Sequence, residues 1–274
     1  MLEGMGHAMP STLSPLSAAD LDELRTARRL LENPGLAARM TNLLGAPIER
    51  GLRALPRDWN ARIDAIARAA LTRAADAALS TMKDRPGAAP SRVWHKLGAA
   101  ASGGVGGFFG LGALAVELPV STTLMLRAIA DIARGEGESI ASAGTRVACL
   151  EVFALGGRTG SDDGAESGYF AVRAALAKSV TDATQFLAAH HVAAEGAPVM
   201  VQLITRIAKR FGADVTSKAA AQAVPAIGAV GGAAINLAFI DHFQDMARGH
   251  FIIRRLERTY GAEAVRRAYE DDQP

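Results

Sequence analysis

With 274 residues, 49% of them hydrophobic, the chain is long enough to bury a substantial core, and an alanine-rich, 5% aromatic composition points to one helical body. Thirty basic against 28 acidic residues leave a formal charge of +2, too small a field to grip nucleic acid or steer an acidic substrate. The lone cysteine, Cys149, excludes an internal disulfide and a cysteine-based zinc site.

Residues 1–16 are small, polar and proline-containing, without the basic and apolar regions of a secretory signal. They are expected to be disordered, and the chain to lie in the cytoplasm or at the cytoplasmic face of the inner membrane. Ser17 with Asp20 three residues on predicts a helix start, followed at helical spacing by Leu21, Leu24, Ala27, Leu30 and Leu31 and stopped by Asn33-Pro34-Gly35. Residues 17–55 thus read as an N-terminal helical extension, and 56–274 as the main helical domain. A longer helix is expected from Trp59 to about Met82, with Ile63, Ile66, Ala67, Ala70 and Ala74 on one face. Asp84-Arg85-Pro86-Gly87 ends it, and the small residues up to Ser91 make the best internal linker.

Further on, Ser142 to Leu155 reads as a helix. The glycine-rich acidic loop Gly156 to Gly168 carries Asp162, Asp163 and Glu166 but lacks the alternating oxygen ligands of a calcium-binding EF-hand, so it reads as a solvated loop. Tyr169 to about Val192 is a long helix with Phe170, Arg173, Leu176, Val180 and Leu187 near one stripe. Pro198 suits a first helical turn, and Met200, Leu203, Ile204, Ile207 and Phe211 form a face expected to close at Gly212. No run alternates strictly enough to argue for a strand. The fold expected is all-α, a multi-helix bundle built around two Gly/Ala-rich helical hairpins.

Those hairpins are Leu97 to Gly137 and Ala219 to Phe251, which share the strings G-x-V-G-G and D-x-A-R-G. Leu97 to Val116 and Ala219 to Ile240 carry no charge over 20 and 22 residues, long enough for a membrane span. Many of these residues are Gly, Ala or Ser, which gain little from hydrocarbon, and Pro119 and Pro225 interrupt the helical pattern. Gly103, Gly106, Gly107 and Gly110 in the first stretch, and Gly228, Gly231 and Gly232 in the second, would let backbones approach closely. The two stretches are accordingly expected to pack on each other through these glycines.

The charged residues beside the runs form the candidate polar cluster: Glu117, Arg127, Asp131, Arg134, Asp241, His242, Asp245 and Arg248. Glu117 lies between Val116 and Leu118-Pro119, where a carboxylate is costly unless paired, and Arg127 and Arg134 are the partners considered. Asp131 with Arg134, and Asp245 with Arg248, stand at i, i+3 and can pair on one helix surface. His250 falls on an apolar stripe with Phe239, Phe243, Met246, Ile253 and Tyr260, and reads as a satisfied core histidine. Neither Asp241-His242 with His250 nor His190-His191 with Glu195 has a zinc spacing. There is no nucleophile elbow, Walker A loop or dinucleotide fingerprint. No catalytic residue, metal or cofactor is assigned.

Four strings together carry a resemblance: VELPVSTTLMLRAIADIARGEGE (Val116 to Glu138), CLEVFALGG (Cys149 to Gly157), ESGYFAVRAAL (Glu166 to Leu176) and QAVPAIGAVGGAAINLAFIDHFQDMARGHFIIRRLERTYG (Gln222 to Gly261). In this order they resemble the bacterial EcsC family over roughly residues 60 to 270, with residues 1 to about 55 outside it. The family takes its name from a protein encoded beside the subunits of an ABC transporter. The resemblance implies a mostly helical, membrane-associated, non-enzymatic protein whose partner is membrane lipid or a membrane protein complex, such as a transport complex that it accompanies or regulates. The alternative is a soluble hydrolase or small-ligand-binding protein with a pocket between the hairpins that uses Glu117, Arg127, Asp241 and His242.

Overall fold

The computed structural model describes residues 16–32, 36, 51–53, 55, 58–81, 114–155, 168–190, 197–222 and 228–271. Among them the chain forms α1 (Ala18–Glu32), α2 (Trp59–Thr81), α3 (Leu114–Gly135), α4 (Ala143–Leu155), α5 (Gly168–His190), α6 (Pro198–Gln222), α7 (Gly228–Tyr260) and α8 (Ala262–Asp271). The protein is an all-α multi-helix bundle.

Local chemistry sets several helix ends. The Ser17 hydroxyl oxygen accepts the Asp20 amide at 3.1 Å and donates to the Asp20 carboxylate at 2.6 Å, closing the first turn of α1 as a capping box does. At the end of α3 the Gly137 amide donates to Arg134 O and the Glu138 amide to Ala133 O, both at 3.0 Å, with Gly137 at φ 81°. This is a Schellman stop, and the left-handed φ is the reason for glycine there. Gly261, at φ 86°, ends α7 by a bond from its amide to Glu257 O and turns the chain directly into α8.

Alanine decides how closely the helices approach. The α2 face Ile63, Ala67, Ala70, Leu71 and Ala74 is buried, and α2 packs most extensively against α3, where Ile129, Ala130 and Ala133 are buried as well. Larger side chains fill the middle: Phe153 of α4, Phe211 of α6, and Phe239 and Phe243 of α7 form a cluster with ring centroids 5.1 to 5.9 Å apart. α1 lies on α7 and touches α8, with Leu24 and Ala27 buried beneath it. Gly249 permits this approach, since a Cβ there would stand 2.6 Å from Leu31 Cγ and 2.9 Å from Ala27 O.

Three expectations change. Gly212 does not close a helix; α6 runs through it to Gln222, and the missing side chain is a packing device, because a Cβ would stand 3.2 Å from both Ile63 Cγ2 and Asp64 Oδ1. Pro119 does not interrupt α3 but sits in its second turn, where one backbone bond is forgone and the helix continues. The uncharged run Ala219 to Ile240 is not one span: α6 ends at Gln222 and α7 starts at Gly228, with Pro225 in the intervening stretch. Among the described residues no helix is long and apolar enough to cross a membrane.

Helices α3 and α7, which carry the two D-x-A-R-G strings, pack side by side and run in the same direction, whereas the expected packing of the two stretches through their glycines falls in part on residues outside those described. Gly103, Gly106, Gly107 and Gly110 lie outside the described residues, as do the expected disorder of residues 1–15, most of the Gly156 to Gly168 loop, His191 and Glu195. Gly228, Gly231 and Gly232 open α7.

Candidate functional site: two buried polar centres

Three apolar stripes carry polar residues inward at one end of the bundle. On α3 the stripe Leu114, Leu118, Ser121 and Met125 includes Glu117; on α6 the stripe Phe211, Val215 and Ala219 includes Asp214, Lys218 and Gln222; on α7 Asn236 stands one turn before Phe239. These residues converge. Lys218 Nζ donates to Glu117 Oε1 at 2.6 Å and to Asn236 Oδ1 at 2.7 Å, and lies 4.8 Å from the centre of the Phe239 ring. Gln222 Nε2 donates to the other carboxylate oxygen, Glu117 Oε2, at 3.1 Å. The Lys218 side chain has 0% exposure. Burial pushes its ammonium below the ordinary lysine range, and the facing Glu117 carboxylate opposes that push. The Glu117 contact fixes the Gln222 amide orientation, which leaves Gln222 Oε1 buried without a hydrogen-bond partner.

One turn before Lys218, Asp214 is buried with Oδ2 unpartnered, and burial pushes its carboxyl up to about 8. The carboxyl is therefore mostly protonated at neutral pH. The Lys218 ammonium, one turn on, is committed to Glu117.

A second polar centre joins the C-terminal half of α7 to α3, α4 and α5. Glu138, placed just after the Schellman turn, accepts Arg254 Nε at 2.9 Å and Thr145 Oγ1 at 2.6 Å, and is also held by Arg258. Burial raises the Glu138 carboxyl, but the bonds from Arg254 and Thr145 and the nearby guanidinium charges outweigh it and hold the group below the usual range. Arg173 of α5 grips Glu257 through both nitrogens, at 2.7 and 3.0 Å. Tyr169 OH and His250 Nδ1 stand 3.0 Å apart. His250 Nε2 faces Glu151 Oε2 at 4.0 Å. Burial drives the Glu151 carboxyl up to about 7, and burial followed by the Arg173 and Arg254 charges drives His250 well down. At neutral pH the buried imidazole is uncharged, so the 4.0 Å distance does not make this contact an ion pair.

The candidate cluster read from sequence divides across these surroundings. Glu117 is at the first centre, but its partner is Lys218, 101 residues away, and neither Arg127 nor Arg134. Arg127 stands ten residues along the same helix, about 15 Å in axial rise, out of ion-pair reach. Asp131 and Arg134 do pair, at the far end of α3. His242 is buried with its ring 5.1 Å from that of Phe243, whereas Asp241, Asp245 and Arg248 are half-buried along α7. His250 is the core histidine expected, with Tyr169 as its partner.

Sequence reading missed Lys218, Gln222 and Asn236. The signal was present: extending the stripe Leu203, Ile207, Phe211 through Gly212 reaches 214, 218 and 222 at helical spacing. It also missed that Glu138, Glu151, Tyr169, Arg173, Arg254 and Glu257, all within the strings that carry the resemblance, meet in space.

Among the described residues no group of three or more His, Cys, Asp or Glu is placed to hold a metal ion. An open cavity of about 450 Å³, lined by Ala141, Ala143, Arg146, Leu187 and Ala188, lies beside the start of α4, away from the Lys218 centre.

Comparison with known proteins returns no similar curated protein and no similar solved structure. The model of the EcsC protein family matches residues 36–256, which starts ahead of the strings that carry the resemblance and leaves α1 and α8 outside. The chain, with the Lys218 centre inside the matched region and the second centre inside it except for Glu257 and Arg258, belongs to the EcsC protein family.

Proposed function

We propose that this is a non-enzymatic, membrane-associated helical protein of the EcsC type, positioned at the cytoplasmic face of a membrane, and that it meets lipid with the end of the bundle that holds the Lys218 centre. One observation carries the reading. Val116 is 75% exposed, Val120 50% and Leu52 46%, and all three gather at this end. The two valines stand one turn apart beside Glu117 on α3. Leu52 is placed there by its neighbour Gly51, whose missing Cβ would collide with the Ala220 carbonyl. The two longest uncharged runs, Leu97 to Val116 and Ala219 to Ile240, include the start of α3, the last residues of α6 and the start of α7. Exposed apolar side chains gathered at one place mark a contact surface rather than ordinary scatter.

The family's association with a transporter operon makes a membrane transport complex the natural setting, with this protein as its accessory or regulator. The competing reading, a soluble hydrolase or ligand-binding protein, needs Glu117 and Arg127 on one pocket, and the Glu117–Lys218 pair weakens it.

Flotation of the full chain with phosphatidylcholine vesicles tests the proposal. The wild type is expected to float, and Val116→Asp/Val120→Asp to cut the bound fraction at least ten-fold. Val201→Asp, at the opposite end of α6, is expected to leave it unchanged. A wild type that stays wholly in the soluble fraction sinks the reading.

A further inference from the structure

The end that carries Val116 and Val120 is held together differently from the rest of the bundle. In the middle, four phenylalanines interlock. Toward the end of α6 the buried apolar residues are Ala219, Ala220 and Ala221, which supply little contact area; Leu114 and Leu118 of α3 and Ile235 of α7 are buried at this end too, and the side-chain hydrogen bonds among α3, α6 and α7 here run through Glu117, Lys218, Asn236 and Gln222. A buried ion pair contributes little net stability over an apolar filling, because desolvation offsets most of the attraction. This one also leaves Gln222 Oε1 buried without a partner, a cost of about 1–3 kcal/mol for such a group. The closed arrangement is specific in geometry and weak in net energy.

Resting on the membrane reading above, we infer that the Glu117–Lys218–Asn236–Gln222 centre is a latch. Closed, it pins the first two turns of α3 to α6 and α7. Open, it lets those turns swing out with Val116 and Val120 and enter the apolar layer of a bilayer. Three geometric features support a latch over a plain structural pair. All four side chains lie within the first turns of α3, the last turns of α6 and the first three turns of α7, so opening them leaves the Glu138 centre in place and meets the phenylalanine cluster only at the Phe239 ring beside Lys218 Nζ. Glu117 is adjacent to Val116 and one turn from Val120, so moving one moves the others. Lys218 bonds α3 and α7 from α6, so losing its side chain removes both bonds together and leaves Gln222 on Glu117 as the remaining hydrogen bond of the centre.

The test measures flotation on phosphatidylcholine vesicles for wild type, Lys218→Met, Glu117→Gln and Arg173→Met, well below each unfolding temperature. Arg173→Met breaks an ion pair at the other centre and controls for general destabilisation. Lys218→Met is expected to raise vesicle affinity at least ten-fold, Glu117→Gln to raise it less, and Arg173→Met to leave it unchanged. A wild type that floats while both latch variants match it, or an equal rise for Arg173→Met, overturns the latch and leaves the membrane reading standing. Absence of flotation for every protein overturns both. Hydrogen exchange on the wild type supplies a readout that needs no variant: on vesicle binding, amides of residues 118–124 and 216–222 are expected to lose protection while residues 239–253 keep theirs. Unchanged protection at 118–124 and 216–222 in the vesicle-bound protein refutes the latch.

Discussion

The two polar centres solve the burial of charge in opposite ways. At the Lys218 centre one ammonium and one carboxylate are closed off together, helped by two amides and an aromatic ring, and the neighbouring helix surfaces are alanine. At the other centre the cations are arginines, whose planar forks take carboxylates through two nitrogens and stay partly open to solvent; Arg173, Arg254 and Arg258 share Glu257 and Glu138. The first arrangement depends on a single pair, and the second distributes its charge over several. A single pair is the arrangement that one event can undo.

The largest effect expected is from removing one partner of the single pair. Lys218→Ala leaves the Glu117 carboxylate buried and unpaired and is expected to cost about 3–5 kcal/mol in urea unfolding, whereas Glu117→Leu/Lys218→Met recovers most of that loss. If the double variant is as unstable as the single one, the contrast between the centres fails.

Asp214 comes next, through pH. Its folded carboxyl titrates near 8 against an ordinary value of 3.8, so the folded state binds the proton more tightly than the unfolded. Its contribution is fully present below pH ~4 and lost as pH rises through about 8. Asp214→Asn is therefore expected to gain on the wild type by a few kcal/mol, in order of magnitude, across that window. Thermal melts at the two ends of the range measure it, and a constant difference between the two proteins contradicts the assignment.

Gly249→Ala probes the far half of α7. The added methyl meets Ala27 O and Leu31 and is expected to cost about 1–3 kcal/mol, read as lost exchange protection in α1 while α6 keeps its own. Gly137→Ala is smaller. The methyl has room, its nearest neighbour being Arg258 Nη2 at 3.9 Å, so only the left-handed backbone counts, at about 1–2 kcal/mol in chemical unfolding. Smallest is Arg173→Lys, which keeps the charge but loses the two-nitrogen grip on Glu257. About 1 kcal/mol is expected, and a loss as large as that of Lys218→Ala would mean that the second centre also hangs on one pair.

Much of the architecture was legible locally. The helix predicted from Trp59 to about Met82 is Trp59–Thr81, and that predicted from Ser142 to Leu155 is Ala143–Leu155. The long helix expected from Tyr169 to about Val192 is Gly168–His190, and Ser17 with Asp20 caps α1 as the spacing implied. Capping bonds, glycine stops and the period of buried residues each span a few positions, so a short window of sequence contains them whole. The family was legible for the same reason, as ordered strings. Glu117 could be recognised as a carboxylate in need of a partner, from its apolar neighbours alone.

Its partner could not be recognised that way. Nothing within a helical turn of Glu117 points to Lys218, 101 residues on, and the partner emerged only when α3 and α6 were laid together. Gly212 and Gly249 had the same ambiguity: a glycine in a helical pattern reads equally as a stop or a contact point, and the facing Ile63, Asp64 and Leu31 decide which. The sequence by itself determined which segments are helices, which face of each is apolar, and to which family the chain belongs, because those depend on neighbours along the chain. Tertiary structure alone decided which charges on different helices meet, since an ion pair forms over a few ångströms of space and is indifferent to the length of chain between its ends.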